Sequence, residues 1–257
     1  MSESEISAEE FQKEISKKDK LFKEIKSISL ILLAVLTFRS MIAEPFRIPS
    51  GSMIPTLMIG DFILVNKLSY GVKVPFTDMN LFGFDSNPIY LFGKSDPQRG
   101  DVVVFKYPRD RSINYIKRVV AVPGDTIEVR SKILYVNDKP QPMEEYKDSK
   151  KFLDEMDDKF KTYNFNFFKA KTGEAEHILQ FDRDAFYSTD FEKKVIGPNE
   201  FFCMGDNRDY SSDSRFWGTV PRENIKGKAM FVWFSLIFPF GEYPFKFRPL
   251  RIGTVIK

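Results

Sequence analysis

The chain of 257 residues is poor in the residues that staple and metallate proteins. It has one cysteine, Cys203, so no internal disulfide can form and a disulfide-stapled fold is excluded. It has one histidine, His177, which excludes every two-histidine metal signature and leaves one imidazole at most for catalysis. No GxGxxG or GxxxxGK[ST] phosphate cradle occurs, and no GxSxG elbow, so dinucleotide, P-loop and α/β-hydrolase chemistry lack their sequence basis. A large excess of one charge is also missing. Lys+Arg 39 against Asp+Glu 36 leaves a net charge of +3, too balanced to indicate nucleic-acid binding. With 42% hydrophobic and 29% charged residues, wholesale disorder is excluded and a sizeable core is affordable.

One long hydrophobic run is present. Residues 1–26 carry six lysines among several acids, and then Ser27–Phe38 runs without a charge; past Arg39 the apolar character resumes through Ala43. Residues 27–43 make a helix of about 25 Å at 1.5 Å per residue, somewhat short for a bilayer core of about 30 Å. Arg39 lies near its end, where it can snorkel toward headgroups. A buried core helix and a cleaved leader compete with this reading, but RSMIAEPFRIPS offers no good small-x-small cleavage site. The expectation is an uncleaved, single-pass anchor with the lysine-rich 1–26 tail on the cytoplasmic side and the body outside.

The body reads as mostly β. FILVNKLSYGVKV, DVVVFKYP, INYIKRVVAVPGDTIEV and KILYVNDKP are short apolar or alternating runs punctuated by Gly, Pro, Asn and Asp. Residues 131–197 are denser in charge and Phe and less patterned, which predicts an inserted or peripheral subdomain between a first core part, 44–130, and a second, 198–257. The apolar run Ala229–Phe240 is too short to span and predicts core strands, or else an apolar surface with Trp233 dipping into a bilayer.

Three segments could carry chemistry. Pro49-Ser50-Gly51-Ser52-Met53-Ile54-Pro55 places two serines around a glycine in a proline-stiffened stretch, which by composition is also an ordinary turn. A serine nucleophile needs a base. His177 lies in a charged context where a solvated or packed histidine is the plainer reading. Lys117 is the alternative: strand alternation puts it on one face with Tyr115, Val119 and Ala121, and burial among apolar groups can lower an amine enough to act as a base. The third segment, Met204–Gly218, packs Asp, Arg, Asn and Ser into a dense polar loop; its arginines and its lack of DxDxDG spacing argue against calcium. Cys203 beside it reads as a small buried residue rather than a nucleophile.

PSGSMIPTL, RGDVVVFKYP with YIKR and VPGD, and GDNRDYSSDSRFWG, in this order behind an N-terminal anchor, resemble bacterial signal peptidase I, a family of membrane-bound serine peptidases with a Ser/Lys dyad. The resemblance runs from about Arg39 to Gly227. It implies an antiparallel β-sheet catalytic domain with an extended β-ribbon near residues 68–98. It implies Ser52 as nucleophile, Lys117 as general base, and the Ser50 hydroxyl with the Ser52 N–H as oxyanion hole. Ser211 would hold the Lys117 amine, Asp213 and Arg215 would support that site as an ion pair, and Arg118 follows the base. Ile48, Met53 and Tyr115 are expected at the substrate. Tyr210 stands where the family commonly has Asn. No metal or cofactor is implied. The partners the resemblance implies are membrane lipids and signal-peptide-bearing preproteins delivered by the secretion translocon, at the bacterial inner membrane. A Ser/Lys self-cleaving switch would need a DNA-binding or regulatory N-terminus in place of the anchor, and a non-enzymatic membrane-anchored module would tolerate loss of both Ser52 and Lys117.

Overall fold

A computed structural model describes residues 3–78, 86–156, 158–186, 189–238 and 244–257, with backbone alone for residues 3–16 and 158. A helix runs unbroken over Glu3–Met41, so the lysine-rich tail and the apolar run form one element. Lys, Glu, Leu and Ile are good to fair helix formers, and nothing between them breaks the helix. The run ends earlier than residue 43, because Ala43 already belongs to the strand Ala43–Arg47 and pairs with Asn66. Among the described residues no helix is long and apolar enough to cross a membrane. The apolar side chains from Leu30 to Phe38 are largely solvent-exposed.

The rest is antiparallel β with short helices, as the alternating runs predict. The main sheet orders Ala43–Arg47, Asp61–Asn66, Ile225–Ile237, Val102–Tyr107, Asp110–Ala121, Glu200–Met204 and Val220–Pro221. Val102–Tyr107 is central, and its side chains alternate between two cores, as a period of two requires. Val102 and Val104 join Ile48, Met53, Leu57, Ile63 and Val232; Val103 and Phe105 join Val119, Phe201, Cys203 and Trp217. Ile225–Ile237 is bent by three register shifts, and the Ala229–Phe240 run is core on one side only. Ala229, Val232 and Ile237 are buried, whereas Met230, Trp233 and Phe238 are exposed; residues 239 and 240 lie outside the described residues.

In the region expected to form a ribbon, 68–98, Val72–Lys73 pairs with Tyr90–Phe92, and 79–85 between them lie outside the described residues. Where this region meets the end of the long helix, three buried lysines share two buried carboxylates. Lys67 pairs with Asp78 at 2.9 Å and Glu44 at 3.4 Å, Lys73 with Asp78 at 3.3 Å, and Lys226 with Glu44 at 3.3 Å.

The segment 131–197 is not peripheral. Its first residues belong to a hairpin, Thr126–Arg130 with Ile133–Val136, whose turn residues Ser131 and Lys132 both have positive φ, so the expected boundary at 130 falls inside that hairpin. Met143–Glu145, Phe165–Thr172 and Ala175–Asp182 form a three-stranded sheet. Met156, Phe160 and Phe167 from this segment pack with Ile54, Met58 and Ile59, directly behind the PSGSMIP stretch.

Candidate active site

Residues 51–58 form tight turns, with Ile54 N–H donating to the Gly51 carbonyl and Leu57 N–H to that of Met53. The stretch has two faces. Met53 and Leu57 join the sheet core, whereas Ile54 and Met58 pack on the inserted segment. Ser52, between them, is buried; Ser50 is exposed. Gly51 has no room for a side chain, since a Cβ there would lie 2.6 Å from Phe160 Cζ. Among the described residues the Ser52 N–H has no hydrogen-bond partner.

Lys117 comes from Asp110–Ala121, pairing with Val103 on the central strand. Its Nζ lies 2.7 Å from Ser52 Oγ and 2.9 Å from the Ile116 carbonyl, and 5.3 Å from the centre of the Tyr115 ring. The alternation seen in the sequence therefore holds at Tyr115 and Lys117. Burial lowers the Lys117 amine to about 8, against the opposing pull of Asp213. Near that pH half of the molecules carry a neutral amine, whose lone pair can accept the Ser52 hydroxyl proton.

The polar loop closes over this pair. Gly205 N–H donates to Asp213 Oδ2 at 3.0 Å, and a Cβ on Gly205 would collide with both Ser211 Oγ and the Ser52 carbonyl oxygen. Asn207 holds the nucleophile from behind: its N–H donates to the Ser52 carbonyl at 3.2 Å and its Nδ2 to the Gly51 carbonyl at 3.0 Å. Asp213 and Arg215 form a two-pronged ion pair, 2.8 Å on each prong. Burial works to raise the Asp213 carboxyl, but Arg215 outweighs it and holds the carboxyl below its ordinary value. Arg118 pairs the same way with Asp206, at 2.9 and 2.7 Å, and also donates to the Gly100 carbonyl. Burial opposes ionisation of Asp206, yet Arg118 keeps it at about 2. Thr56 adds a hydrogen bond to Asp206.

Of the expected site residues, Ser52, Lys117, Asp213, Arg215 and Arg118 fall in one buried cluster. Ser211 is beside them, but among the described residues its hydroxyl makes no hydrogen bond to Lys117; it sits by Asp213 instead and helps hold that carboxyl down. The Lys117 amine is held instead by Ser52 and the Ile116 carbonyl. Ile48 and Met53, expected at the substrate, are interior: both are fully packed in the sheet core because apolar side chains beside the nucleophile are needed to seat its turn. Tyr115 is half-buried, stacked on Tyr107 with ring centres 4.4 Å apart. His177 is buried away from Ser52, bonded to Thr172 and 3.5 Å from Asp206, and burial pushes it down to about 3. Cys203 is buried, and its thiol is pushed up by burial.

Sequence reasoning missed Asn207, Asp206, Thr56 and Phe160. Asn207 and Asp206 lay inside a motif already singled out, but their partners Gly51 and Thr56, 156 and 150 residues away in sequence, were not readable from spacing. Phe160 carried no signal at all.

The family model described as "Signal peptidase, peptidase S26" matches residues 21–234. Signal peptidase I of Pseudomonas aeruginosa is 42% identical over 221 residues, covering 82% of this chain and 71% of that protein. Signal peptidase I of Buchnera aphidicola subsp. Schizaphis graminum is 36% identical over 265 residues, 91% of this chain and 81% of that protein. That of Aquifex aeolicus is 37% identical over 237 residues, 83% and 84% respectively. A crystal structure of a signal peptidase I from Enterococcus faecalis has 26% identity and covers 53% of this chain and 98% of its own, with a TM-score of 0.32, too low for a comparison of folds. A match over most of the chain, with relatives this close in sequence along most of their own length, makes the chain a member of the bacterial signal peptidase I family, peptidase S26.

Proposed function

We propose that Ser52 is the nucleophile and Lys117 the general base with which this serine endopeptidase removes signal peptides from preproteins. The observation that carries the assignment is the 2.7 Å contact between Ser52 Oγ and a buried, apolar-lined Lys117 Nζ. Neutral Lys117 takes the hydroxyl proton as Oγ attacks the carbonyl before the cut. The oxyanion that forms faces the free Ser52 N–H and the hydroxyl of the exposed Ser50. Protonated Lys117 gives its proton to the departing amine as the C–N bond breaks, leaving an ester on Ser52. Lys117, neutral again, then deprotonates a water that attacks the ester, and the proton returns to Ser52 Oγ. Asp213, Arg215 and Asn207 hold the loop and the nucleophile turn in register; Ser211 packs beside them on Gly205. Arg118 anchors the same loop through Asp206.

The residues before the cut have a place to lie. Asp110–Ala121 pairs with Glu200–Met204 only through Arg118, Val119 and Ala121. Beyond Lys117, toward Asn114, its second edge has no partner among the described residues. An extended peptide added there runs past Tyr115 to Ser52, and small residues such as Ala at the first and third positions before the cut suit so closely packed a floor.

The run expected over residues 27–43, helical as far as Met41, serves as the anchor in the bacterial inner membrane, with the lysine-rich end in the cytoplasm and the peptidase body on the far side. Exposed apolar residues clothe this part of the helix all round, Leu30 at 67% among them. The exposed side chains Trp233, Phe238 and Phe247 give the body a lipid-facing surface, and the secretion translocon delivers the preprotein.

The test is cleavage of a preprotein by the detergent-solubilised full chain, with the product's new N-terminus sequenced. A cut directly after Ala-x-Ala, abolished when both alanines become leucine, supports the reading. No cut by demonstrably folded protein brings forward a membrane-anchored binding module.

A further inference from the structure

The inserted segment reaches the nucleophile through aromatic rings. The Phe160 ring fills the space over Gly51, the residue before Ser52. The Tyr163 ring lies beyond it, centres 6.4 Å apart, and then that of Tyr210, 4.9 Å from Tyr163. Tyr210 adjoins Ser211, whose hydroxyl lies against Gly205 as the Ser52 carbonyl does, so the row of rings begins over the neighbour of Ser52 and ends at the neighbour of Ser211. Phe160 is buried and fixes the row; Tyr163 is 39% exposed. The Tyr210 hydroxyl donates to Asp182, which sets its ring edge-on to Phe165.

The row also has a side. Ser52 turns its hydroxyl to Lys117 and the sheet, whereas Gly51 turns to Phe160 and the insertion. A substrate whose residues before the cut lie on the free edge beside Tyr115 leaves Ser52 across Gly51, over the insertion.

We infer that Tyr163 and Tyr210, backed by Phe160, form the subsite for the first residues of the mature protein, the part that departs as the amine, and that they favour apolar or aromatic side chains there. This rests on the Ser52 and Lys117 reading above. The insertion then sets which mature N-termini are released fastest, a selection separate from the small residues before the cut.

The experiment uses the full chain in detergent and two preproteins with one signal peptide and one Ala-x-Ala site, differing only in their first two mature residues, Phe-Leu or Ser-Ser. The readout is the ratio of their kcat/KM values, which a general loss of folding leaves unmoved. Wild type should favour Phe-Leu, and Tyr163→Ala should lower the ratio about three- to tenfold, the range of one aromatic contact. Tyr163→Phe, which keeps the ring, should retain it. A ratio unchanged in Tyr163→Ala overturns the inference. So does a wild type that cleaves the two preproteins with equal kcat/KM. Failure of wild type to cleave either preprotein refutes the peptidase reading itself and is thereby told apart from failure of the subsite.

Discussion

Replacing Lys117 by methionine should stabilise the fold at neutral pH while removing the base. In the unfolded chain this amine keeps its proton up to 10.5; buried in the fold it gives it up at about 8. The gap, 10.5 − 8, is worth about 3 kcal/mol at about 1.4 kcal/mol per pH unit. The sign follows from proton counts. Below pH 8 both states hold the proton, and the fold carries the whole cost of a buried ammonium. Between 8 and 10.5 the unfolded state binds more protons, so wild-type stability rises with pH, and above 10.5 the cost is gone. Methionine fills similar space and does not titrate. Urea unfolding followed by tryptophan fluorescence, at pH 7, 8.5 and 10, gives the difference between variant and wild type, in which all other groups cancel. The advantage of Lys117→Met should shrink by about 2 kcal/mol or somewhat more across that range, most of the full gap, offset by a constant loss of the bonds to Ser52 and the Ile116 carbonyl. A difference that stays flat with pH would refute the claim that the fold depresses this lysine.

The same amine sets the rate. kcat/KM should climb about tenfold per pH unit below 8 and level off above it, since only the neutral form accepts the Ser52 proton; a plateau reached by pH 7 contradicts this. Asn207→Ala strips the donor from the buried Gly51 carbonyl, a cost of about 1–3 kcal/mol, and should lower kcat far more than it raises KM in steady-state cleavage. Gly205→Ala drives a methyl into the Ser52 carbonyl and Ser211, so activity should fall by two orders of magnitude or about that while the far-UV spectrum is kept. Arg118→Ala leaves Asp206 charged, buried and without its main partner, and should lower the unfolding free energy by about 3–5 kcal/mol.

How much of this could be read in the chain depends on the distance over which each signal acts. Tyr115 and Lys117 share a face because alternation is local, and the apolar identity of that face already foretold a buried amine. The Met204–Gly218 loop stood out by composition and by family motif, whereas Ser52, in what composition alone reads as a turn, stood out by family motif. Asn207 was visible only as a polar loop residue; that it clasps Gly51 and Ser52 depends on a fold bringing position 207 to 51. The lysines at 67, 73 and 226 look like ordinary solvated charges in sequence, and only packing reveals that they share two carboxylates in the interior. The insertion gave the least: its mixture of charge and Phe hides a sheet whose strand Ala175–Asp182 hydrogen-bonds through Gln180 to Asp206 and Arg208, and so carries the active-site loop. The helix shows the opposite limit. Its apolar run was plain, yet the helix extends over Glu3–Met41 because polar residues can continue a helix without any periodic signal.

The most direct test of the Ser/Lys dyad compares wild type with Ser52→Ala, Lys117→Ala and His177→Ala on a preprotein bearing an Ala-x-Ala site. Cleavage should vanish in the first two and persist in the third, since His177 is bonded to Thr172 and does not touch Ser52. Activity that survives Lys117→Ala, or disappears specifically with His177 in a folded protein, would contradict the assignment of the base.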